Sequence, residues 1–214
     1  MIGVMGSYAY PSSSMSEPQD CYLHGYVSSR IMRLASQSQP TSPSPSGDPT
    51  PAGIPICIAA TKVDGLVLSL TPNSHSYNYR SAILHGHASI VTDPSEKFYA
   101  MRLVTNSVIP TRYENTRNPP DSAEMSSTNI LRVSIVSGSG KIREGGPHDE
   151  KKDEGRQDIT ESTWTGVVPV FETFGTPVAS ATNRVDDVPA YIREYVEETT
   201  AGNERYAGEA ARKP

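Results

Sequence analysis

Apolar and polar positions alternate along most of this chain with a period of two, the pattern of half-buried strands, and only three stretches follow the 3.6-residue period of a helix. Residues 1–10 (MIGVMGSYAY) read as an apolar, glycine-punctuated strand, 11–20 as a polar loop and 21–25 (CYLHG) as a short strand. Ser28 and Ser29 precede Ile31, Met32, Leu34 and Ala35, which predicts a short Ser-capped helix. Residues 56–61 (ICIAAT) and 66–70 (LVLSL) flank Lys62-Val63-Asp64-Gly65, whose Asp-Gly pair predicts a hairpin turn. Residues 77–91 (YNYRSAILHGHASIV) form a long strand with Gly86 at its centre, where a bulge or the close approach of another backbone is expected. Pro94 opens a helix with Phe98, Met101, Leu103 and Val104 on one face, ending near Ile109-Pro110. A strand at 130–136, a polar loop at 137–161 with the charge run HDEKKDE, a last strand at 164–173 and a short amphipathic helix at 189–198 complete the pattern. Many antiparallel strands with few helices predict a mainly β fold, a small β-barrel.

The 214 residues suit one domain, 1–198, followed by a polar tail at 199–214. Six of the 18 prolines fall in residues 36–55 (SQSQPTSPSPSGDPTPAGIP), which predicts a disordered or polyproline surface insertion. A net charge of -5 argues against nucleic acid as a partner while leaving room for one anionic small ligand at a local arginine. No stretch has the length and apolarity of a membrane helix, and Met1 is not followed by a secretory leader, so the expected compartment is the cytoplasm. Cys21 and Cys57 make neither a zinc set nor a disulfide framework and are expected to be reduced, partly buried thiols.

The familiar nucleotide, zinc-protease and nucleophile-elbow motifs are missing. His85 and His87 share a strand face and are expected to be a hydrogen-bonded pair, because no neighbouring Cys, Asp or Glu completes a metal set. Two constellations carry possible chemistry. In His24-Gly25-Tyr26-Val27-Ser28-Ser29-Arg30 a strand runs into a helix start, where backbone N–H groups, two hydroxyls and an arginine fork form either a phosphate cradle or an ordinary cap with a solvated arginine. Ser76-Tyr77-Asn78-Tyr79-Arg80-Ser81 crowds an arginine, aromatic rings and amides at one strand end, which suits a planar anionic ligand or, equally, a Tyr-rich structural strand.

Taken together, YLHGYVSSRIMRLA, VDGLVL, SYNYRSAILHGHASIVTDPSEK, VIPTRYENTRNPP, ILRVSIVSGSGKIREGGPHDEKKD and WTGVVPVFETFGTPV resemble the pyridoxamine 5'-phosphate oxidase-like flavoproteins. The closest resemblance is to the branch of nitroimidazole-resistance and flavin-nucleotide-binding proteins. It implies an FMN-binding split β-barrel, a homodimer with cofactor at the interface, and flavin ligands at His24, Ser28, Ser29, Arg30, Tyr77, Asn78, Tyr79, Arg80, Ser81 and Trp164. Relative to that family the chain is expected to lack the first barrel strand and N-terminal helix, and the Arg-rich substrate-phosphate motif of the true oxidases is not evident. The implied function is an FMN-dependent oxidoreductase acting on a small planar substrate, with NAD(P)H as donor and His24 as the candidate acid. The alternatives are a non-catalytic module binding flavin, or haem through His24, His75, His85 or His87, and an inactive truncated paralogue.

Overall fold

The computed structural model describes residues 1–14, 16–17, 19–38 and 53–214. The strands are β1 (Ile2–Gly6), β2 (Asp20–Tyr26), β3 (Ile54–Leu68), β4 (Ser76–Ile90), β5 (Thr128–Arg143) and β6 (Gly166–Pro169). They pair in the order β1-β2-β5-β4-β3-β6, and β1–β2, β2–β5 and β3–β6 are antiparallel. The helices are α1 (Arg30–Gln37), α2 (Pro94–Val108), α3 (Ser122–Ser127), α4 (Lys151–Glu154), α5 (Gln157–Thr160) and α6 (Ala190–Arg212). The mainly β class predicted by the alternation is therefore the class observed. Among the described residues no helix is long and apolar enough to cross a membrane.

Contacts divide the chain into two compact units, Met1–Ile58 with Ile83–Gly138, and Ala59–Ala82 with Ser139–Pro214. In the first, Leu23 of β2, Met32 of α1, Ala88 of β4 and Leu131 and Val133 of β5 form one apolar cluster. The other face of β2 and β5 packs Tyr22 and Ile130 against Ala100 of α2. Alternate residues of one strand thus serve two clusters, as the pleat requires. Pro94 stands at the start of α2 and the Asp93 carboxylate accepts the Ser95 N–H, so this helix begins where its punctuation predicts. Gly86 is needed for a close approach: a Cβ there would lie 2.4 Å from the Ser134 carbonyl oxygen. In the first turn of α2, the buried Glu96 carboxylate accepts the Tyr22 hydroxyl at 2.9 Å and the Arg132 guanidinium at 3.1 Å, which satisfies a charge that burial would otherwise penalise.

In the second unit β3 continues straight through Lys62-Val63-Asp64-Gly65, and the predicted hairpin is not there. Asp64 is 4% exposed and forms an ion pair with Arg80, while Gly65 sits opposite Pro169 in the β3–β6 register. Those partners outweigh the local turn preference. The chain turns instead after Leu68, where the Ser69 N–H donates to His75 Nδ1 and the Ser69 hydroxyl to the Ser74 carbonyl. Strand β5 runs on to Arg143, well into the expected loop. The last strand is confined to Gly166–Pro169. The helix expected to stop at residue 198 extends to Arg212, with Ala207 and Ala210 buried.

Of the Pro- and Ser-rich insertion, residues 39–52 lie outside the described residues, whereas Ser36 and Gln37 belong to α1 and Ile54 and Pro55 to β3. Cys21 is buried as expected, but Cys57 is exposed.

Candidate functional site

The second unit holds a groove of about 770 Å³ whose walls come from three strands and from Glu172, which follows β6. Ala60, Thr61 and Lys62 of β3 and Arg80, Ser81 and Ala82 of β4 form most of it. Gly140 and Ile142 of β5 and Glu172 close the remainder. Its size falls within the roughly 300–1,000 Å³ of small-molecule and cofactor sites. The two alanines and Ile142 give it apolar surface; of its cations, Lys62 is paired with Glu172, which also lines the groove, and Arg80 with Asp64.

Arg80 is the most constrained of these side chains. Its Nε and Nη2 donate to the two carboxylate oxygens of Asp64 at 2.9 and 2.8 Å, the paired geometry that favours arginine over lysine. The Tyr206 ring of α6 lies under the guanidinium, 3.8 Å from ring centre to Cζ. The Asp64 hydrogen bond raises the arginine's pKa above its ordinary value. Asp64 leaves Nη1 unused, so the cation is fixed while one of its nitrogens can address a ligand. Tyr206 is itself held, donating its hydroxyl to Glu144 at 3.2 Å. Beside Arg80, Thr61 Oγ1 donates to Ser81 Oγ at 3.2 Å. Lys62 lies 3.0 Å from Glu172 and donates to Asn203 at 3.3 Å.

The residues singled out from sequence separate into distinct roles. Arg80 and Ser81 line the groove together. Asn78 is corrected from ligand to scaffold: it is fully buried, its amide nitrogen donates to the Gly145 carbonyl, and its oxygen accepts from Arg143. Tyr77, which is 57% exposed, and Tyr79 flank Asn78 on β4. Trp164 is exposed, precedes β6, and its indole closes over Gly166, where a Cβ would meet the ring at 2.8 Å.

In the first unit, Ser28, Ser29 and Arg30 stand at the start of α1. Ser29 occupies the cap position but makes no side-chain cap bond, and its hydroxyl oxygen is buried without a partner. The predicted Ser cap is therefore positional only. His24 lines a different, smaller recess with α2.

The expected His85–His87 hydrogen bond is not formed by His87 Nδ1, which is buried and unpartnered. Among the described residues no three His, Cys, Asp or Glu side chains are grouped to hold a metal. His75 accepts the Ser69 N–H through Nδ1, which places the proton of its neutral ring on Nε2.

Asp64, Thr61, Lys62 and Tyr206 were not singled out by the sequence. Asp64 carries the one available signal, an acidic residue within an otherwise β-patterned run; Tyr206 lies more than a hundred residues from Arg80 in the chain and carries none.

The family described as pyridoxamine 5'-phosphate oxidase matches residues 3–142 of the chain. None of the curated proteins compared matches it significantly. Among solved structures it is similar to the FAD and heme binding protein from Mycobacterium smegmatis, with 26% identity and a TM-score of 0.67 over 83% of this chain and 77% of that one. It is similar in fold to the flavocytochrome Anf3 from Azotobacter vinelandii, with 24% identity and a TM-score of 0.66 over 91% and 84%. A protein assigned to 5-nitroimidazole antibiotic resistance from Bacteroides thetaiotaomicron matches at 17% identity and a TM-score of 0.38 over 58% and 61%. With two-thirds of its residues matched by the family and a mainly β fold to accord with it, the chain belongs to the pyridoxamine 5'-phosphate oxidase-like family of split-barrel proteins.

Proposed function

We propose that this chain binds FMN in the groove around Arg80 and acts as an oxidoreductase on a small planar substrate. The observation that carries the reading is the groove itself: Arg80 and Ser81, selected from sequence as flavin ligands, line one recess of about 770 Å³ with Thr61 and Lys62. Family membership supports a flavin, as does the similarity to a protein named for binding FAD and heme.

When bound, FMN supplies the two-electron chemistry. The protein's part is to hold it. Asp64 and Tyr206 fix the Arg80 guanidinium so that Nη1 meets an anionic oxygen without reorganising. The Thr61–Ser81 hydroxyl pair offers a donor that can rotate toward a ring or phosphate oxygen. Ala60, Ala82 and Ile142 give the groove apolar surface for a ring system. The α1 start, with Ser28, Ser29 and Arg30, is the other candidate phosphate cradle and is tested by its own substitution, Arg30→Ala. A nicotinamide donor, a small planar acceptor and a homodimer with cofactor between subunits complete the proposal.

A second reading, flavin together with haem, is favoured by the similarity to the FAD and heme binding protein. Of the histidines considered for iron, His75 is disfavoured because its Nε2 carries the proton; His24, His85 and His87 stay as candidates.

The test is titration of the purified full chain with FMN and with FAD, followed by fluorescence, with absorbance recorded for any Soret band. Arg80→Ala alone would leave Asp64 buried and unpaired, so the informative variant is Arg80→Gln with Asp64→Asn. FMN is expected to bind, and this pair is expected to weaken binding by roughly 1.5–3 kcal/mol, the scale of a hydrogen bond to a charged group. Absence of flavin binding by the folded wild-type chain overturns the proposal. Preferential uptake of FAD or haem replaces FMN as the cofactor.

A further inference from the structure

We propose that the first unit carries a second ligand site, a recess between α2 and the segment that follows it, and that this recess takes a neutral pyranose sugar. Met101 and Thr105 line it from α2, one helical turn apart. Tyr113, Arg117 and Pro120 come from the segment after that helix. Glu124 of α3 and Thr128, the first residue of β5, complete its far side.

Three observations point to a ligand of this chemistry. The first is size. The recess measures about 260 Å³, below the roughly 300–1,000 Å³ of cofactor sites. An apolar cavity of roughly 150 Å³ already holds benzene, so one six-membered ring with its substituents fits here. The second is that its two charged groups are occupied with each other. Arg117 Nη2 pairs with Glu124 Oε1, and Glu124 Oε2 accepts the Asp121 N–H at 2.8 Å. An ionic ligand would therefore meet no unpaired counter-charge, which favours a neutral one. The third is a set of hydroxyls. Among the described residues, those of Thr105, Tyr113 and Thr128 have no hydrogen-bond partner, yet none of the three is sealed from solvent. A hydroxyl both donates and accepts, so three of them around one recess match a ligand whose own groups do the same. Met101 and Pro120 supply apolar surface for the C–H face of the ring. The central hydroxyl is also held in place. The Tyr113 N–H donates to Asn106 Oδ1 at 2.7 Å, and its carbonyl accepts the Thr116 hydroxyl at 2.8 Å and Asn118 Nδ2 at 3.1 Å. Two residues earlier Thr111, β-branched, adopts a φ of 61°, a cost that persists where the surroundings fix a position. A site held before its ligand arrives loses less affinity to ordering.

The inference does not rest on the flavin reading, and its experiment contains no flavin. The full-length chain, with 13C-labelled methionine methyls, is titrated with methyl glucopyranoside, with cyclohexanol and with methyl glucuronide, and followed by NMR. The Met101 methyl, assigned through Met101→Leu, is expected to shift saturably with millimolar glucoside. Cyclohexanol, a ring with one hydroxyl, is expected to bind at least about tenfold more weakly, and the glucuronide anion no more tightly than the glucoside. Tyr113→Phe and Thr128→Val each remove one hydroxyl with little change of shape, and the two together are expected to weaken glucoside binding about tenfold. Thermal melts of the paired variant confirm that it is folded. A cyclohexanol affinity equal to that of the glucoside, tighter binding of the glucuronide, or glucoside binding unaffected by the paired variant overturns the proposal, as does the absence of any saturable Met101 shift.

Discussion

At Asp20, the first residue of β2, burial is the dominant influence and raises the carboxyl pKa above its ordinary 3.8; Glu96 adds to the shift, while Arg132 and the Ser134 hydroxyl oppose it. The folded chain therefore holds this proton more tightly than the unfolded chain does. The associated stability is fully present below the unfolded pKa and is lost as pH rises through the folded one. Asp20→Asn removes that titration while keeping an acceptor for Ser134. It is expected to melt at a higher temperature than wild type near neutral pH, with the difference closing as pH falls toward about 4, the unfolded carboxylate range. Thermal melts across this range check it, and a difference independent of pH would contradict the assignment.

Arg80 shows what can be read at this scale. An arginine followed by a hydroxyl on a strand reads in the sequence as a candidate pair, and both line the groove, but the two side chains that hold the arginine do not show there. Asp64 reads locally as half of a turn, and only the neighbouring strand supplies the cation that makes it a clamp. Asn78 shows the converse. Its amide looks like ligand chemistry in sequence, yet Gly145 and Arg143 consume both ends of it.

At the scale of elements, Gly86 of β4 is where a sequence signal and its tertiary cause coincide. A Cβ there would lie 2.4 Å from the Ser134 carbonyl oxygen and 2.9 Å from Val133 Cγ1, and the first contact is with backbone, which cannot rotate away. Gly86→Ala is expected to destabilise by about 1–3 kcal/mol, the cost of overpacking, as measured by urea unfolding. A change within a few tenths would mean that the strands part at little cost. Helix α2 was legible because Pro94 and an apolar period lie within the helix itself. The extension of β5 was not, since Ser137-Gly138-Ser139-Gly140 has no apolar pattern. Its second glycine lines the groove, and Gly138 lies against Leu84 and the Ile83 carbonyl, so small residues are there because neighbouring atoms are close.

For the whole molecule, the informative segment is the end of α6. Ala207 and Ala210 are each 1% exposed, the Ala210 carbonyl accepts the Gly145 N–H at 2.7 Å, and Lys213 pairs with Glu144. A polar, Glu- and Ala-rich composition suggested a tail, but good helix formers with two small residues packed inward make it part of the second unit. Removing residues 207–214 is expected to lower stability by about 2–4 kcal/mol, from the lost burial and the lost backbone bond. Chemical denaturation of the shortened chain measures it; an unchanged midpoint would show that the segment contributes nothing to this unit.

The sequence by itself determined the class of fold, the places of β1, β2, β4, α1 and α2, the need for glycine at 86 and the family, because periodicity, caps and a motif set are properties of neighbouring residues. Tertiary structure alone decided that Asp-Gly continues a strand, that Asn78 is scaffold, that Asp64 and Tyr206 hold Arg80, and that His24 faces α2. Each of those outcomes depends on a partner distant in sequence, and the energy of an ion pair, a buried amide or a stacked ring is set only when the fold brings that partner within a few ångströms.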